Sequence, residues 1–247
     1  MTGRRWIADE VSGDRAALLG EHADHLRRVL RARVGQEFDI ATGQSVRRGR
    51  ITSITNDRVE FQLGEKVSDK PLPEITLILT IFKFDRIEWA IEKCTELGVA
   101  KIVPVIARRT DSHLAAASQK RVERWRRIAR QATEQSRRSL PPEIPSPTKL
   151  FESLHFPAAL RILLAESEER TLLRDVLKAN RLKLKNSKNG DRGVVLAIGP
   201  EGGWAEDELQ LFLGAGWICA SLGNTILRAE TAAIAATAIA CSALQSA

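Results

Sequence analysis

Two glycine-anchored loops near the C-terminus hold the residues whose types and spacing point most directly to chemistry. They are Ile198-Gly-Pro-Glu-Gly-Gly203 and Leu222-Gly-Asn-Thr-Ile-Leu-Arg-Ala-Glu-Thr-Ala232. Glycines at a strand-to-loop turn let the backbone approach a ligand closely and leave amides free to bind it. The first loop follows Val194-Val-Leu-Ala-Ile198, a continuous apolar run that reads as a buried parallel strand. It leads into Trp204-Ala-Glu-Asp-Glu-Leu209, an acidic helix start. The second loop repeats the design: a short apolar run, a glycine, then a polar cluster entering a helix from Ala232 to Leu244. Alone, either is an ordinary turn or helix start. As a pair about 20 residues apart, they are expected side by side at the carboxyl ends of neighbouring strands, where open α/β sheets bind ligands.

Other chemistries lack support. Cys94, Cys219 and Cys241 lie far apart, with no metal-ligand spacing and no disulfide framework, so no metal is expected. His22, His25, His113 and His155 are scattered and form no His-Cys-acid constellation. Thiols of this kind fit a reducing cytosol, and Met1-Thr-Gly-Arg-Arg-Trp lacks the apolar core of a signal peptide. A cytoplasmic location is therefore expected. The helix from Ala229 to Leu244 is apolar but too short to span a bilayer, and reads as a buried helix or a subunit interface.

The charge balance favours an anionic partner. The chain of 247 residues carries a net charge of +7 and is 43% hydrophobic. From Pro104 to Pro145 there are ten Lys/Arg against four Asp/Glu, and from Arg174 to Arg192 seven against two. Near the N-terminus the basic residues cluster at Arg27-Arg28, Arg31, Arg33 and Arg47-Arg48-Gly-Arg50. One such cluster is usually a solvated face. Several in one chain favour nucleic acid.

The elements that must position these residues fall into two parts. Residues 1–70 read as short strands around a helix from His22 to Arg31, with alternation at Gln36–Ala41, Arg50–Ile54 and Arg58–Leu63. Closely spaced short strands suggest a small barrel. Ser68-Asp-Lys-Pro-Leu-Pro73 marks the boundary. Residues 73–247 alternate strand and helix. The strands are Glu74–Ile81, Lys101–Ile106, Arg161–Ala165, Val194–Ile198 and Trp217–Ser221. The helices are Asp85–Leu97 (closed by Gly98), a long basic one from about Ala115 to Arg137, and one around Leu172–Ala179. Glu143–Lys149 and Lys185–Gly190 read as loops. The pattern predicts an α/β domain with a mostly parallel sheet and helices on both faces.

The paired loops resemble those of the SPOUT methyltransferases, and the chain is most similar to the family that methylates uracil N3 in 16S ribosomal RNA. The resemblance is nearly whole-length. It includes Lys83-Phe-Asp-Arg86, Lys93-Cys-Thr-Glu-Leu-Gly-Val99, Ile102-Val-Pro104, Arg109, Trp125, Glu134-Gln-Ser136, Arg138 and both loops, with weaker matches at His25 and Val29-Leu-Arg31. Trp204 stands where the family often has Phe, and Arg108 beside Arg109 where an acid is common. The resemblance implies an N-terminal PUA-like β-barrel that docks RNA, then a SPOUT α/β domain with a C-terminal trefoil knot. It also implies a homodimer with no membrane anchor, acting on 16S ribosomal RNA or the assembled small subunit.

It implies S-adenosyl-L-methionine as cofactor. Gly199, Pro200, Glu201, Gly202, Gly203, Leu222, Gly223, Asn224, Ile226, Leu227 and Arg228 are expected to bind it. Valine in place of Gly199 or Gly223 is then expected to abolish cofactor binding in a folded protein. Arg228 is the first candidate to stabilise the developing uracil oxyanions. The alternative for Arg228 is a structural salt bridge to Glu230 or Glu201. Glu230 is a candidate general base, with a helix-cap or loop-bracing role as the alternative. Arg4, Arg5, Arg28, Arg31, Lys83, Arg109 and Arg138 are the candidate RNA contacts. Arg28 and Arg31, three apart, are expected to share one helix face. Other expectations remain open: a SPOUT enzyme acting on tRNA or a ribose 2′-oxygen, or a non-catalytic RNA-binding protein.

Overall fold

A computed structural model of the chain describes residues 5–43, 45–67, 74–186 and 193–245. The chain divides into two compact units, Met1–Pro71 with Arg130–Pro141, and Leu72–Ala129 with Pro142–Ala247. The expected boundary at Ser68–Pro73 lies outside the described residues.

In the first unit β1 (Arg5–Ile7), β2 (Glu10–Ser12) and β3 (Arg15–Leu19) precede α1 (Gly20–Asp24) and a π-helix (His25–Val29). Three longer strands follow: β4 (Glu37–Ala41), β5 (Val46–Ile54) and β6 (Arg58–Val67). They make a six-stranded mixed sheet in the order β1-β4-β5-β6-β3-β2, with β1 parallel to β4 and the remaining pairs antiparallel. The expected small barrel is not closed: among the described residues no ladder joins edge strands β1 and β2. Alternation on β6 sends Val59, Phe61 and Leu63 inward, against Trp6, Leu18, Leu26 and Ile40.

Residues 130–141 join this unit through charge. Arg130 Nη2 donates to Asp9 Oδ1 at 2.8 Å and to the Ile7 carbonyl at 3.0 Å. Burial alone would raise the Asp9 carboxyl. The hydrogen bonds from His22 and the Leu19 amide, with the Arg130 charge, outweigh it and hold the group below its ordinary range.

The second unit carries β7 (Ile75–Thr80), α2 (Phe84–Leu97), β8 (Lys101–Ile106), α3 (Ser112–Ser118), α4 (Val122–Gln135), β9 (Thr148–Lys149) and α5 (Leu150–Ser153). Helix α4 runs on into the residues that join the first unit. The second unit continues with β10 (Leu160–Leu164), α6 (Leu173–Ala179), α7 (Arg181–Asn186), β11 (Val194–Ile198), α8 (Glu206–Gly214), β12 (Ile218–Ala220) and α9 (Ala229–Gln245). A 3₁₀ turn at Gln119–Arg121 breaks the expected long basic helix into α3 and α4. Of the expected 185–190 loop, residues 185 and 186 end α7, and the rest lie outside the described residues.

All six strands are parallel, in the order β12-β10-β11-β7-β8-β9. Strand alternation sorts the core into two layers. Ile75, Leu77, Leu79, Val194, Leu196 and Ile198 pack against Ile87, Trp125, Leu173 and the alanines of α9. Ile78, Val103, Val105, Val195 and Ala197 face Leu150, Leu154 and Phe212. Helix α9 presents Ala229, Ala233, Ala236 and Ala240 to the sheet, so its backbone comes close. Thr237 Oγ1 donates to Cys94 Sγ at 3.5 Å and Cys241 Sγ to the Leu97 carbonyl at 3.0 Å, fixing α9 on α2. Burial pushes the Cys94 thiol up to about 12, so it is an inert packing group. Among the described residues no helix is long and apolar enough to cross a membrane.

One expectation about placement is corrected. The strands that launch the two glycine loops, β11 and β12, are not neighbours, because β10 lies between them. The three strands still end on the same side of the sheet, so a third loop enters between the two.

Candidate functional site

The carboxyl ends of the parallel strands open into one cleft of about 990 Å³. The loops after β10, β11 and β12 line it, with Arg86 from the first turn of α2 and Arg109 from beyond β8. A crevice at this end of a parallel sheet is where the fold presents backbone groups and loop side chains to a ligand.

The loop after β11 is braced from behind. The Gly203 amide donates to the Pro200 carbonyl at 2.8 Å, closing a four-residue turn, and Gly203 takes φ +68°. Arg109 Nη1 donates to the Gly202 carbonyl at 2.6 Å. Trp204 Nε1 donates to the Leu164 carbonyl at 2.9 Å, and its ring meets Phe212 edge-on at 4.9 Å. A Cβ on Gly199 would lie 3.1 Å from Trp204 Nε1. A side chain at Gly199 would therefore press on the indole beneath it.

Glu208 ties the loop to β8. The carboxylate is 4% exposed; Oε1 accepts from the Arg108 amide at 2.8 Å and Oε2 from the Ala205 amide at 3.0 Å. Glu208→Ala strands both amides, which costs about 2–4 kcal/mol at the usual price of buried unsatisfied donors. A thermal melt should show a clear fall for Glu208→Ala and a smaller one for Glu208→Gln. Equal melting points for wild type and the alanine variant would refute the brace.

The loop after β12 is pinned only at its start. The Ser221 amide donates to the Thr171 carbonyl at 2.8 Å, and its carbonyl accepts from Leu173 at 2.9 Å. From Leu222 to Leu227, among the described residues, no hydrogen bond engages the backbone. Gly223 takes φ +129° with nothing within 4 Å of a Cβ, and Ile226 is 81% exposed. Six consecutive residues with unengaged amides and carbonyls form a ready surface for a ligand with polar edges.

The third loop, Glu166-Ser-Glu-Glu169, was not singled out from the sequence. Its signal was the apolar run Arg161–Ala165 passing straight into polar residues, the same strand-to-loop design without a glycine. The Thr171 and Arg170 amides both donate to Glu168 Oε1 at 2.8 Å and hold its carboxyl below the ordinary range.

The ion pairs fall differently from the salt bridge weighed as the alternative role of Arg228. Arg86 Nη1 pairs with Glu201 Oε1, and Arg86 Nε lies 3.8 Å from Glu230 Oε1. Arg86 therefore occupies the bridging place considered for Arg228. Among the described residues Arg228 is exposed, lines the cleft and forms no ion pair. Glu230 is 3% exposed, with Oε1 3.8 Å from Arg86 Nε. Its geometry is that of a brace.

Of the expected cofactor contacts, Gly199, Pro200, Glu201, Gly203, Leu222, Gly223, Asn224, Ile226, Leu227 and Arg228 line the cleft, and Gly202 sits just behind, on Arg109. The expected RNA contacts differ in exposure and pairing. Lys83 is exposed at the start of α2. Arg109 is spent partly on the loop. Arg5 and Arg138 are each only 8% exposed, with Arg5 donating to the Arg137 carbonyl, so neither offers a solvated guanidinium to phosphate. Arg4 lies outside the described residues. Arg28 is exposed and paired with Asp24 at 2.6 Å. Arg28 and Arg31 do not share a helix face. Arg28 sits in the π-helix, whose i→i+5 bonding changes the angle between successive side chains, and Arg31 lies beyond its end at φ +51°.

Comparison with known proteins bears on this geometry. A family model described as an RNA methyltransferase domain matches residues 68–241, which include all three cleft loops. A ribosomal RNA small subunit methyltransferase E from Synechocystis is 35% identical over 221 residues, covering 87% of this chain and 68% of that one. The chain belongs to the ribosomal RNA small subunit methyltransferase E family. Another member, from Rickettsia conorii, is 30% identical over 88% of this chain and 85% of its own. The fold agrees as well. The crystal structure of the member from Neisseria gonorrhoeae, bound to S-adenosyl methionine, superposes with a TM-score of 0.79 at 28% identity, over 96% of this chain and 95% of that one.

Proposed function

We propose that the chain transfers a methyl group from S-adenosylmethionine to N3 of a specific uridine in small-subunit (16S) ribosomal RNA. The observation that carries this reading is the cleft, with the unengaged backbone of Leu222–Leu227 on one side and an exposed, unpaired Arg228 at its end. The cleft fits a nucleoside-sized cofactor. Leu164, Ile198, Leu222 and Leu227 supply apolar walls, and Glu201, Asn224, Thr225 and Arg228 supply polar groups beside them.

Bound S-adenosylmethionine supplies a methyl group on a positively charged sulfur. The residues do the rest. Backbone groups of Leu222–Leu227 hold the adenine edge, and Gly199–Gly203 cap the other side. Arg228 faces uracil O2 and O4, where negative charge gathers as the N3 proton leaves for water. A guanidinium placed there lowers the cost of that ionisation. Glu201 and Glu230, joined through Arg86, would hold the loop after β11 against the start of α9, so that bound cofactor and substrate keep one orientation. Because N3 lies on the pairing edge, the target uridine must be splayed out of any duplex.

The same reading includes a PUA-like first unit that docks RNA, a knotted C-terminal trefoil, and a cytoplasmic homodimer without a metal. Exposed Trp89 on α2 and Ile226 on the cleft loop support a dimer that covers them.

Calorimetry and label transfer test the proposal together. S-adenosylmethionine should bind the purified protein, with labelled methyl passing to small-subunit ribosomal RNA and not to the large-subunit RNA. Absence of cofactor binding by well-folded protein would end the reading.

A further inference from the structure

One face of helix α4 is cationic beyond what the fold needs. Lys120, in the 3₁₀ turn before α4, stands four residues before Arg124 and seven before Arg127, so the three share one face. All three are exposed, while Val122, Trp125 and Ala129 on the other side are buried. Arg121 lies beside them, its guanidinium 4.7 Å above the Phe84 ring.

Counter-charge on this face is sparse. Glu88 of α2 pairs with Arg124 at 2.7 Å and sits 3.8 Å from Arg121. Glu123 is taken by Arg126 at 2.7 Å. Among the described residues Lys120 and Arg127 have neither ion pair nor hydrogen bond. Two of the four cations, Arg121 and Arg124, thus share Glu88, and the further carboxylate beside them, Glu123, pairs with Arg126.

The stripe also begins beside an element that reaches the cleft. The Phe84 ring that carries Arg121 opens α2, between exposed Lys83 and cleft-lining Arg86. Positive charge therefore extends from Lys83 and Arg121, beside the Arg86 that Glu201 and Glu230 balance, to Arg124 and Arg127. From Lys120 to Arg127 the helix rises about 10 Å.

We infer that this face of α4 is a docking track for the RNA backbone, holding the strand that flanks the nucleotide in the cleft. The inference rests on the RNA-substrate reading above. It assigns phosphate contacts to the second unit, at residues outside the expected set. Electrostatic contact to phosphate is sequence-independent and salt-sensitive, so it positions the substrate and does not select the base.

The test uses the full chain and a transcript of small-subunit ribosomal RNA. Binding is titrated between about 50 and 200 mM salt for wild type and for Lys120→Ala/Arg127→Ala. Neither side chain has a partner, so the variant should melt like wild type. Its affinity should fall on the order of tenfold, and its log–log salt slope by about 1.4–1.8. S-adenosylmethionine affinity should not change. Arg174→Ala/Lys178→Ala removes two exposed charges from α6 and controls for net charge; it should leave the slope alone. A slope unchanged in the α4 variant, or changed equally in the α6 variant, overturns the track while leaving the methyltransferase reading intact. A wild-type protein that binds the transcript without salt dependence also overturns the track, whereas one that binds neither the transcript nor S-adenosylmethionine overturns both.

Discussion

Alanine in place of Arg228 is expected to lower the single-turnover methylation rate about 10²–10³-fold, the usual worth of one oxyanion donor. Cofactor affinity should change by less than about threefold, because the interaction is made mainly in the transition state. The structure sharpens this split. Arg86, not Arg228, bridges Glu201 and Glu230, so removing Arg228 breaks no ion pair among the described residues. The converse holds for Arg86→Ala. There both carboxylates lose their partner, the loops loosen, and cofactor affinity should fall along with rate. Single-turnover measurements at saturating cofactor, beside calorimetry, separate the two arginines. If Arg228→Ala weakens cofactor binding as much as it slows the reaction, Arg228 is a loop residue and not a catalytic one.

The second large effect is expected at Gly223, and it differs in kind from that at Gly199. At φ +129° Gly223 has open space around it, so valine there meets no clash but cannot hold the conformation. Strain of this sort costs about 1–3 kcal/mol, which predicts cofactor binding weakened about 10–100-fold. The melting point should hold, because Leu222–Leu227 make no hydrogen bonds that the fold depends on. Valine at Gly199 instead drives into Trp204, which is fixed by Leu164 and packed on Phe212. That variant should lose about 1–3 kcal/mol of stability as overpacked cores do. Read from sequence, both glycines serve the ligand. In the structure one serves the loop and the other the indole behind it. Matching melting points for the two variants would contradict this distinction.

Those two glycines show what the sequence made legible and what it did not. Apolar runs such as Lys101–Ile106 and Val194–Ile198 mark strands at those bounds, because burial on both faces leaves no polar position to confuse the pattern. The loops after β11 and β12 stand out by their glycines. Their relation in space does not, since strand order is a long-range property: nothing local shows that β10 inserts between them. The acidic loop after β10 lacks glycine and so lacks a marker. Arginines are the least legible. Arg5 and Arg138 look solvated in sequence yet are buried, Arg86 takes the bridge considered for Arg228, and Arg31 leaves its helix because a π-turn ends the coil two residues earlier. Charge identifies these residues, but only the fold decides which face water.

The central claim is methylation of uracil N3 in small-subunit ribosomal RNA, and mass-spectrometric mapping of that RNA from a strain lacking the protein tests it most directly. The account predicts that one uridine, methylated on its base at N3 in the parent, is unmodified in the deletion strain and regains the methyl when the wild-type chain is restored, but not with Arg228→Ala. A full complement of N3-methyluridine in the deletion strain, or a lost methyl that maps to a ribose 2′-oxygen or to tRNA, would contradict it.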